Sequence, residues 1–268
     1  MNQSINFNEA INLLNEVSKN SFTIDAWVPS LKRTIKIQEI NAKQQKSLIE
    51  SAIDSEVLKF NFSKYFYEIL LSNCQEEKDV IDNFTIADRN CIAFYMRNQI
   101  SENITVLFSE NPKIEESISI QNILDKYTNY VHPEPETVSY SKSDVLIEVQ
   151  LILPKLCEES KFDTYIYGNL ERKENELEDF KGLLGAAFLG ETSKYIKDIS
   201  INNSSVGYDN LHIPQKIQFV EKLPAALVQK VIDKIVKWKE ELEKTSTVCY
   251  EDRLYKTIEV NSLLFLNN

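Results

Sequence analysis

Apolar and polar residues alternate with a period of two between residues 22 and 37. The apolar positions before the turn are Phe22, Ile24, Ala26 and Val28, and those after it are Ile35 and Ile37. Alternation places every second side chain on the same face of a strand, so the pattern predicts two half-buried strands. Residues 29–33, which contain a proline and a serine, form the turn between them. We therefore predict a β-hairpin close to the start of the chain.

After the hairpin, the apolar spacing changes to that of helices. Asn41 is a favoured helix N-cap, and Gln44 three residues later can complete a capping box before the apolar stripe that begins at Leu48. A second helix has a buried face made by Phe62, Tyr65, Phe66, Ile69 and Leu70. A third helix begins at Thr85, where the carboxylate of Asp88 favours the helix N-terminus. Its apolar residues lie nearly all round the helix, which predicts a central position.

The rest of the chain mixes strands and helices. Strand patterns occur at 104–108, 117–120 and 145–153, and the segment 132–136, with two prolines, predicts an extended break. Further helix patterns occur at 8–18, at 171–180 and from Pro224 onward. The last of these helices carries the apolar stripe Leu227, Val228, Val231, Ile232, Ile235, Val236 and Leu242. The closing residues 256–268 return to strand-like alternation.

Together these elements predict an α+β fold. An N-terminal β-hairpin with a helical cluster is followed by a mixed strand and helix region, which ends in a long amphipathic helix and a short strand. The change of character after Ser101 divides the chain into 1–101 and 102–268, although the two parts can also form one continuous unit. With 268 residues, of which 43% are hydrophobic, the chain is long enough to bury a substantial core.

The net charge of −11 argues against nucleic acids and membranes as partners, because an acidic surface repels phosphate groups and anionic lipids. No segment reaches the roughly 20 apolar residues that a membrane helix needs. The start of the chain lacks the basic and apolar regions of a signal peptide, and the four cysteines form no CxxC pair. We therefore expect a protein kept in a reducing cytoplasm, with free and mostly buried thiols.

Linear motifs for catalysis or metal binding are missing from the sequence. The two histidines, His132 and His212, are isolated from cysteines and from paired carboxylates, so a zinc site has no support. Phosphate-binding glycine loops and the GxSxG elbow do not occur. We predict no catalytic residue, no metal, no cofactor and no enzymatic activity. The alternative is a hydrolase of an unrecognised class that uses Asp88 or His212.

Protein binding is a function for which the sequence offers candidate residues. Trp27, Leu31 and Arg33 surround the hairpin turn, and aromatic residues are favoured anchors of interfaces. We take these three as candidate partner-binding residues, although Trp27 and Leu31 can instead cover the core. The C-terminal helix also leaves two interpretations. Its stripe packs on the protein's own sheet, or it docks on another protein, as in a host-side adaptor that binds a regulatory partner.

Several phrases of the chain resemble a known family. They are VPSLKRTIKIQEINAKQQKSLIESA (28–52), FTIADRNCIAFYMR (84–97), ETSKYIKDISI (191–201) and FVEKLPAALVQKVIDKIVKW (219–238), with IEVNSLLF (258–265) near the end. In their order and spacing, they are similar to the baseplate hub and hub-assembly proteins of T-even-type contractile-tailed bacteriophages. The resemblance spans most of the chain and is weakest between residues 102 and 170.

This resemblance implies a protein that acts by protein–protein binding, as an assembly chaperone or a minor subunit of the baseplate hub. It implies partners among the other baseplate hub or tail proteins, with the tape-measure protein as one candidate. It places the protein in the host cytoplasm, or in the virion at the tail baseplate. The matching positions include Asp88, Arg89, Arg97 and Pro224, which are structural signatures, so the resemblance transfers no active site.

Overall fold

The structure is a computed structural model, and it describes residues 23–53, 60–170 and 187–265 together with residues 6 and 185. The predicted hairpin is formed by β1 (Thr23–Val28) and β2 (Arg33–Gln38). These strands pair antiparallel, with Trp27 opposite Thr34. The inward face of the hairpin is buried and consists of Ile24, Ala26, Val28, Ile35 and Ile37. The period-two alternation therefore predicted both the strands and their buried side.

The helical cluster that follows the hairpin is also confirmed. Its helices are α1 (Ala42–Ile53), α2 (Phe60–Asn73), α3 (Lys78–Ile81) and α4 (Ile86–Ile100). The capping box of α1 is formed, because the Gln44 amide donates to Asn41 Oδ1 over 2.9 Å and the Asn41 amide donates to Gln44 Oε1 over 3.0 Å. The buried residues of α4 lie all round the helix, as expected for a central element.

The second part of the chain contains several small sheets and further helices. The strands are β3 (Asn103–Glu110), β4 (Lys113–Ser119), β5 (Glu136–Lys142), β6 (Val145–Leu151), β7 (Ile196–Ile201), β8 (Ser204–Ser205), β9 (Thr247–Tyr250) and β10 (Leu254–Thr257). The helices are α5 (Ile120–Thr128), α6 (Leu156–Leu170), α7 (187–193), α8 (Ile213–Lys222) and α9 (Ala225–Ser246). Short 3-10 turns occupy Tyr208–Asn210 and Ser262–Phe265.

The largest sheet has the strand order β5-β6-β7-β8, with all neighbours antiparallel. The pairs β1–β2, β3–β4 and β9–β10 form separate two-stranded sheets. Helix α9 packs against α5, β5 and β10. The chain therefore has the α+β fold that the sequence predicts.

The hydrophobic core joins the two parts of the chain. One buried cluster contains Ile24 of the hairpin, Phe94 of α4 and Val231 of α9. Across the boundary after Ser101, the ring centroids of Phe94 and Tyr127 lie 5.9 Å apart. The predicted division into 1–101 and 102–268 stays a prediction, and packing contacts cross it.

Some predicted boundaries differ from the structure. The strand predicted at 117–120 ends at Ser119, because Ile120 begins α5. Strand β6 ends at Leu151, before the expected Leu153. In the closing residues, strand geometry ends at Thr257 and a 3-10 turn follows, so the predicted alternation is wrong there. The helices predicted at 8–18 and 171–180 lie outside the described residues.

The apolar stripe of α9 is narrower than predicted. Its buried residues are Leu227, Val231, Ile235, Trp238, Leu242, Thr245 and Ser246. Val236 is 45% exposed, so the predicted stripe was too wide on one side. From Leu227 to Thr245, the buried residues follow a spacing of three and four along the helix, which is typical of a single packing seam. This seam contacts the protein's own core, as the first of the two sequence interpretations expects.

Candidate functional site

The three candidate partner-binding residues lie in the hairpin turn and on the strands beside it. We call Trp27, Leu31 and Arg33 the turn surface. Trp27 and Leu31 are half-buried and pack against the core, so each presents part of its side chain to solvent. Arg33 is exposed. The turn surface therefore combines two apolar groups that are held in place with one cation.

The turn is attached to α4 by a long-range hydrogen bond. The backbone amide of Ser30 donates to Asp88 Oδ1 over 2.8 Å, between residues 58 positions apart. Inside the turn, the Leu31 amide donates to the Val28 carbonyl over 3.1 Å. Asp88 is fully buried, and a hydrogen bond to a buried carboxylate is stronger than one between neutral groups. The turn surface is consequently fixed relative to the centre of the fold.

Arg33 is oriented by a bidentate ion pair with Glu76. The distances are 2.8 Å from Nη1 to Oε1 and 2.6 Å from Nη2 to Oε2. Hydrogen bonding by the guanidinium lowers the pKa of Glu76 below its ordinary value. Because Arg33 is exposed, solvent screens this ion pair and it contributes little to stability. Its effect is to hold the guanidinium beside the turn in one orientation.

A groove lies between the ends of α5 and α9, on another part of the surface. It has a volume of about 650 Å³, and its lining includes Tyr130, Val131, Glu241 and Lys244. Val131 is 84% exposed, which is unusual for a branched apolar residue. Burial raises the pKa of Tyr130 to about 12, so its hydroxyl stays protonated at neutral pH. The groove offers an apolar side chain surrounded by polar groups.

A second cavity, of about 690 Å³, is lined by four lysines, and we call it the lysine cleft. These are Lys155, Lys194, Lys197 and Lys216, and Cys157 lies among them. The Cys157 thiol donates to the Asp82 carbonyl over 2.9 Å. Burial raises the pKa of this thiol above its ordinary value. A protonated thiol is a poor nucleophile, so the cleft does not activate Cys157.

Ion pairs, some buried and some partly exposed, connect the helices next to the lysine cleft. The distances are 2.6 Å for Arg89–Glu159, 2.5 Å for Lys194–Asp163, 2.9 Å for Lys194–Glu191 and 2.8 Å for Lys239–Glu191. They link α4, α6, α7 and α9. Burial raises the pKa of Asp163, and the neighbouring carboxylates raise that of Lys194 despite the opposing effect of its burial. Each charge in this network has a partner, which is typical of a structural role.

The residues of the hydrolase alternative have structural contacts. Asp88 accepts the Thr85 amide over 2.6 Å and so caps α4. His212 is exposed at the start of α8, where its amide donates to Gln215 Oε1 over 3.0 Å. Neither residue lines the groove or the lysine cleft. His132 is half-buried, and its Nδ1 lies 3.1 Å from the Pro133 carbonyl oxygen.

The cysteines have free thiols, as predicted, but they are less buried than expected. Cys91 is buried, Cys74 and Cys157 are half-buried, and Cys249 is exposed. Among the residues that the structure describes, no group of three or more His, Cys, Asp or Glu side chains could hold a metal ion. Within the same ranges, no helix is both long enough and apolar enough to cross a membrane.

The lysine cleft is the feature that the sequence analysis missed. Lys155 lies just before α6 and Lys194 just after α7, whereas Lys197 lies on β7 and Lys216 on α8. No linear motif therefore brings these lysines together. One local signal was present, because Lys216 lies among Ile213, Ile217 and Val220 on the apolar face of a short helix. A lysine in such a stripe indicates a side chain whose apolar stem is buried.

Comparison of the chain with models of known protein families, with curated protein sequences and with solved structures gives no match.

Proposed function

We propose that this protein acts by protein–protein binding in the assembly of the baseplate hub of a contractile-tailed bacteriophage. It acts there as an assembly chaperone or as a minor hub subunit. The partners are other baseplate hub or tail proteins, with the tape-measure protein as one candidate. Assembly takes place in the host cytoplasm, and a hub subunit would remain in the virion.

The observation that carries this proposal is the hydrogen bond from the Ser30 amide to Asp88. It joins two of the phrases on which the family resemblance rests, 28–52 and 84–97. Glu191 of the third phrase pairs with Lys239, one residue beyond the end of the fourth. The contact between the first two phrases supports a shared structural framework.

The turn surface has the properties of a prepared binding site. Trp27 and Leu31 are partly exposed while their buried parts rest on the core. Side chains that are already ordered lose little conformational entropy when a partner binds. Arg33 adds a cation whose direction is set by Glu76. Tryptophan and arginine are the residue types that most often dominate interface energies.

The experiment that tests this proposal is co-expression with the other hub and tail proteins of the same phage, followed by size-exclusion chromatography. We expect this protein to elute in a complex with at least one of them. Elution of the protein alone, separate from every candidate partner, would contradict the proposal. Mass spectrometry of purified virions then separates the two roles, because a minor subunit stays in the particle and a chaperone does not.

Variants of the turn surface test where the partner binds. Trp27→Ala removes the apolar anchor, and Arg33→Glu reverses an exposed charge without disturbing the core. We expect each to weaken the complex by about tenfold or more, the effect of losing one interface hot spot. Lys113→Glu is the matched control, since Lys113 is also an exposed cation paired with a glutamate, on strand β4 of a separate sheet. Equal weakening by the control would exclude the turn surface as the binding site.

A further inference from the structure

Lys216 has an unusual environment in the lysine cleft. Its side chain is only 6% exposed, and the nearest carboxylate oxygen, Glu158 Oε2, is 3.7 Å from its Nζ. This separation is too long for a hydrogen bond. The ammonium also lies 5.5 Å from the centroid of the Tyr208 ring, at the distance of a cation–π contact. Among the described residues, the Lys216 ammonium donates no hydrogen bond.

Lys194, another lysine of the cleft with a largely buried side chain, has close carboxylate partners that Lys216 does not have. Lys194 lines the same cleft and is 7% exposed, and its Nζ lies 2.5 Å from Asp163 and 2.9 Å from Glu191. Within the described ranges, Glu158 is the only carboxylate within 4 Å of the Lys216 Nζ, and its other oxygen, Oε1, accepts from Lys161 over 2.6 Å. Because the Lys216 Nζ donates no hydrogen bond among the described residues and is not fully enclosed, its donors are open to an acceptor that enters the cleft.

The remaining lysines of the cleft could contribute to such a site. Lys155 is half-buried and Lys197 is exposed, and among the described residues neither forms an ion pair. The lining also contains the carboxylates of Asp79, Asp82, Glu158 and Asp209, so the formal charges of the four lysines are balanced. The cleft therefore does not select a ligand by its total charge. It offers a local group of ammonium donors around Lys216.

We propose that the lysine cleft binds a small molecule that carries a carboxylate or phosphate group, whose oxygens accept the hydrogen bonds of Lys216. Oxyanions accept charge-assisted hydrogen bonds from ammonium groups, and these are among the strongest in proteins. The volume of about 690 Å³ falls within the range of small-molecule sites, about 300–1,000 Å³. Asn83, Ser193 and Asn210 also line the cleft and provide polar contacts for the rest of the ligand. This inference is independent of the proposed role in assembly.

The test is isothermal titration calorimetry of the full chain in a zwitterionic buffer at constant ionic strength. Inorganic phosphate and succinate are titrated separately, so the two titrations distinguish a phosphate from a carboxylate ligand. We expect at least one of them to bind the wild-type protein. Failure of both to bind would overturn the proposal.

Variants then locate the site. Lys216→Met keeps the length of the side chain and removes the ammonium, so we expect affinity to fall by about tenfold or more. Lys222→Met is the matched control, because Lys222 is exposed on the same helix α8, and its affinity should equal that of the wild type. Unchanged affinity in Lys216→Met would show that the anion binds elsewhere and would overturn the assignment.

Two further measurements keep the assignment testable if Lys216→Met folds poorly. Lys155→Met changes a half-buried position of the same cleft, and we expect its affinity to fall by about threefold, as for a partly solvated ion pair. Without anion, Lys216→Met should unfold at a higher urea concentration than the wild type, since it replaces a cation on a largely buried side chain, whose carboxylate contact is 3.7 Å long, with an apolar group. A lower midpoint for Lys216→Met, combined with unchanged affinity in Lys155→Met, would contradict a site centred on Lys216.

Discussion

Asp88 is a fully buried carboxylate that serves two parts of the fold. It accepts hydrogen bonds from the Ser30 amide at 2.8 Å, the Thr85 amide at 2.6 Å and Thr85 Oγ1 at 2.9 Å. The same side chain thus caps a central helix and anchors the hairpin turn. Buried donors that lose their acceptor pay a desolvation penalty in addition to the lost bond.

Replacing Asp88 with alanine should therefore reduce the free energy of unfolding by about 3 kcal/mol, the sum of a lost cap and one further buried hydrogen bond. Urea denaturation followed by circular dichroism measures this change. Asp233→Ala is the control, because Asp233 is exposed on α9 and bonds only to Gln229 among the described residues. We expect the control to change stability by no more than about 0.5 kcal/mol. A loss below about 1 kcal/mol for Asp88→Ala would show that the anchor is weak.

The ionisation of Glu191 makes the stability of the folded protein depend on pH in the acidic range. Burial alone would raise its pKa, but the ammonium groups of Lys194 and Lys239 lower it from 4.5 to about 2. The unfolded chain thus takes up a proton at Glu191 at a higher pH than the folded protein does. The stabilisation is complete above about pH 4.5 and is lost as the pH falls towards about 2.

We expect Glu191 to contribute about 1 kcal/mol to the change between pH 5 and pH 2, because its side chain is 43% exposed and solvent screens the charges. Urea midpoints of the wild type and Glu191→Gln, measured across this range, should converge as the pH falls. Glu221→Gln, at an exposed position on α8, should follow the wild-type curve. A constant difference between wild type and Glu191→Gln at every pH would refute the assignment.

On the scale of single elements, α9 allows a sharp comparison of two identical residues. Val231 is 1% exposed and Val236 is 45% exposed on the same helix. Val231→Asp buries a charge without a partner and should reduce stability by about 4 kcal/mol or abolish folding. Val236→Asp should be tolerated, with a change of about 0.5 kcal/mol or less. Urea denaturation and soluble yield measure both variants, and similar effects of the two would mean that the stripe is not part of the core.

The elements that the sequence predicts well are those with local signals. The hairpin follows from alternation, and the cap of α1 follows from Asn41 and Gln44, which lie three residues apart. Helix α6 was not predicted, because its buried face contains Ser160 and Asp163 beside apolar residues. The buried Asp163 has its cationic partner, Lys194, 31 positions away in the sequence. Prediction from hydrophobic periodicity assigns such a residue to the solvent-facing side, so it does not recognise the helix.

The candidate sites, like the secondary-structure elements, could be predicted only where the signal is local in the sequence. The local pattern indicated Trp27, Leu31 and Arg33, whereas their attachment depends on Asp88, which is distant in the sequence. The lysine cleft draws its walls from the α3 region, the start of α6, the start of β7 and α8. The spacing of these residues along the chain does not show that they come together. The cleft can therefore be recognised only in the folded structure.

At the scale of the whole molecule, the core predicts that both parts unfold together. The chain has two tryptophans, Trp27 in β1 and Trp238 in α9, one on each side of the predicted boundary. Contacts across the boundary include the hydrogen bond of 2.6 Å from the Leu156 amide to the Phe84 carbonyl. A continuous core favours a single cooperative transition.

This expectation can be tested with two single-tryptophan variants, Trp27→Phe and Trp238→Phe. In each variant, the fluorescence of the remaining tryptophan follows urea unfolding of one part, while circular dichroism follows the whole chain. For each variant we expect the two signals to give the same midpoint. Separate midpoints would instead support two domains, 1–101 and 102–268, that unfold independently.

The Ser30–Asp88 hydrogen bond has a consequence for how distant relatives diverge. The donor is a backbone amide, so any residue except proline can occupy position 30 without loss of the bond. The acceptor is a side chain, so position 88 does not share this freedom. Among distant relatives, we expect the amino acids of the hairpin turn to vary. We expect an acidic residue to be retained three positions after the N-cap of α4. A search for relatives should therefore give more weight to this acid than to the turn that it holds.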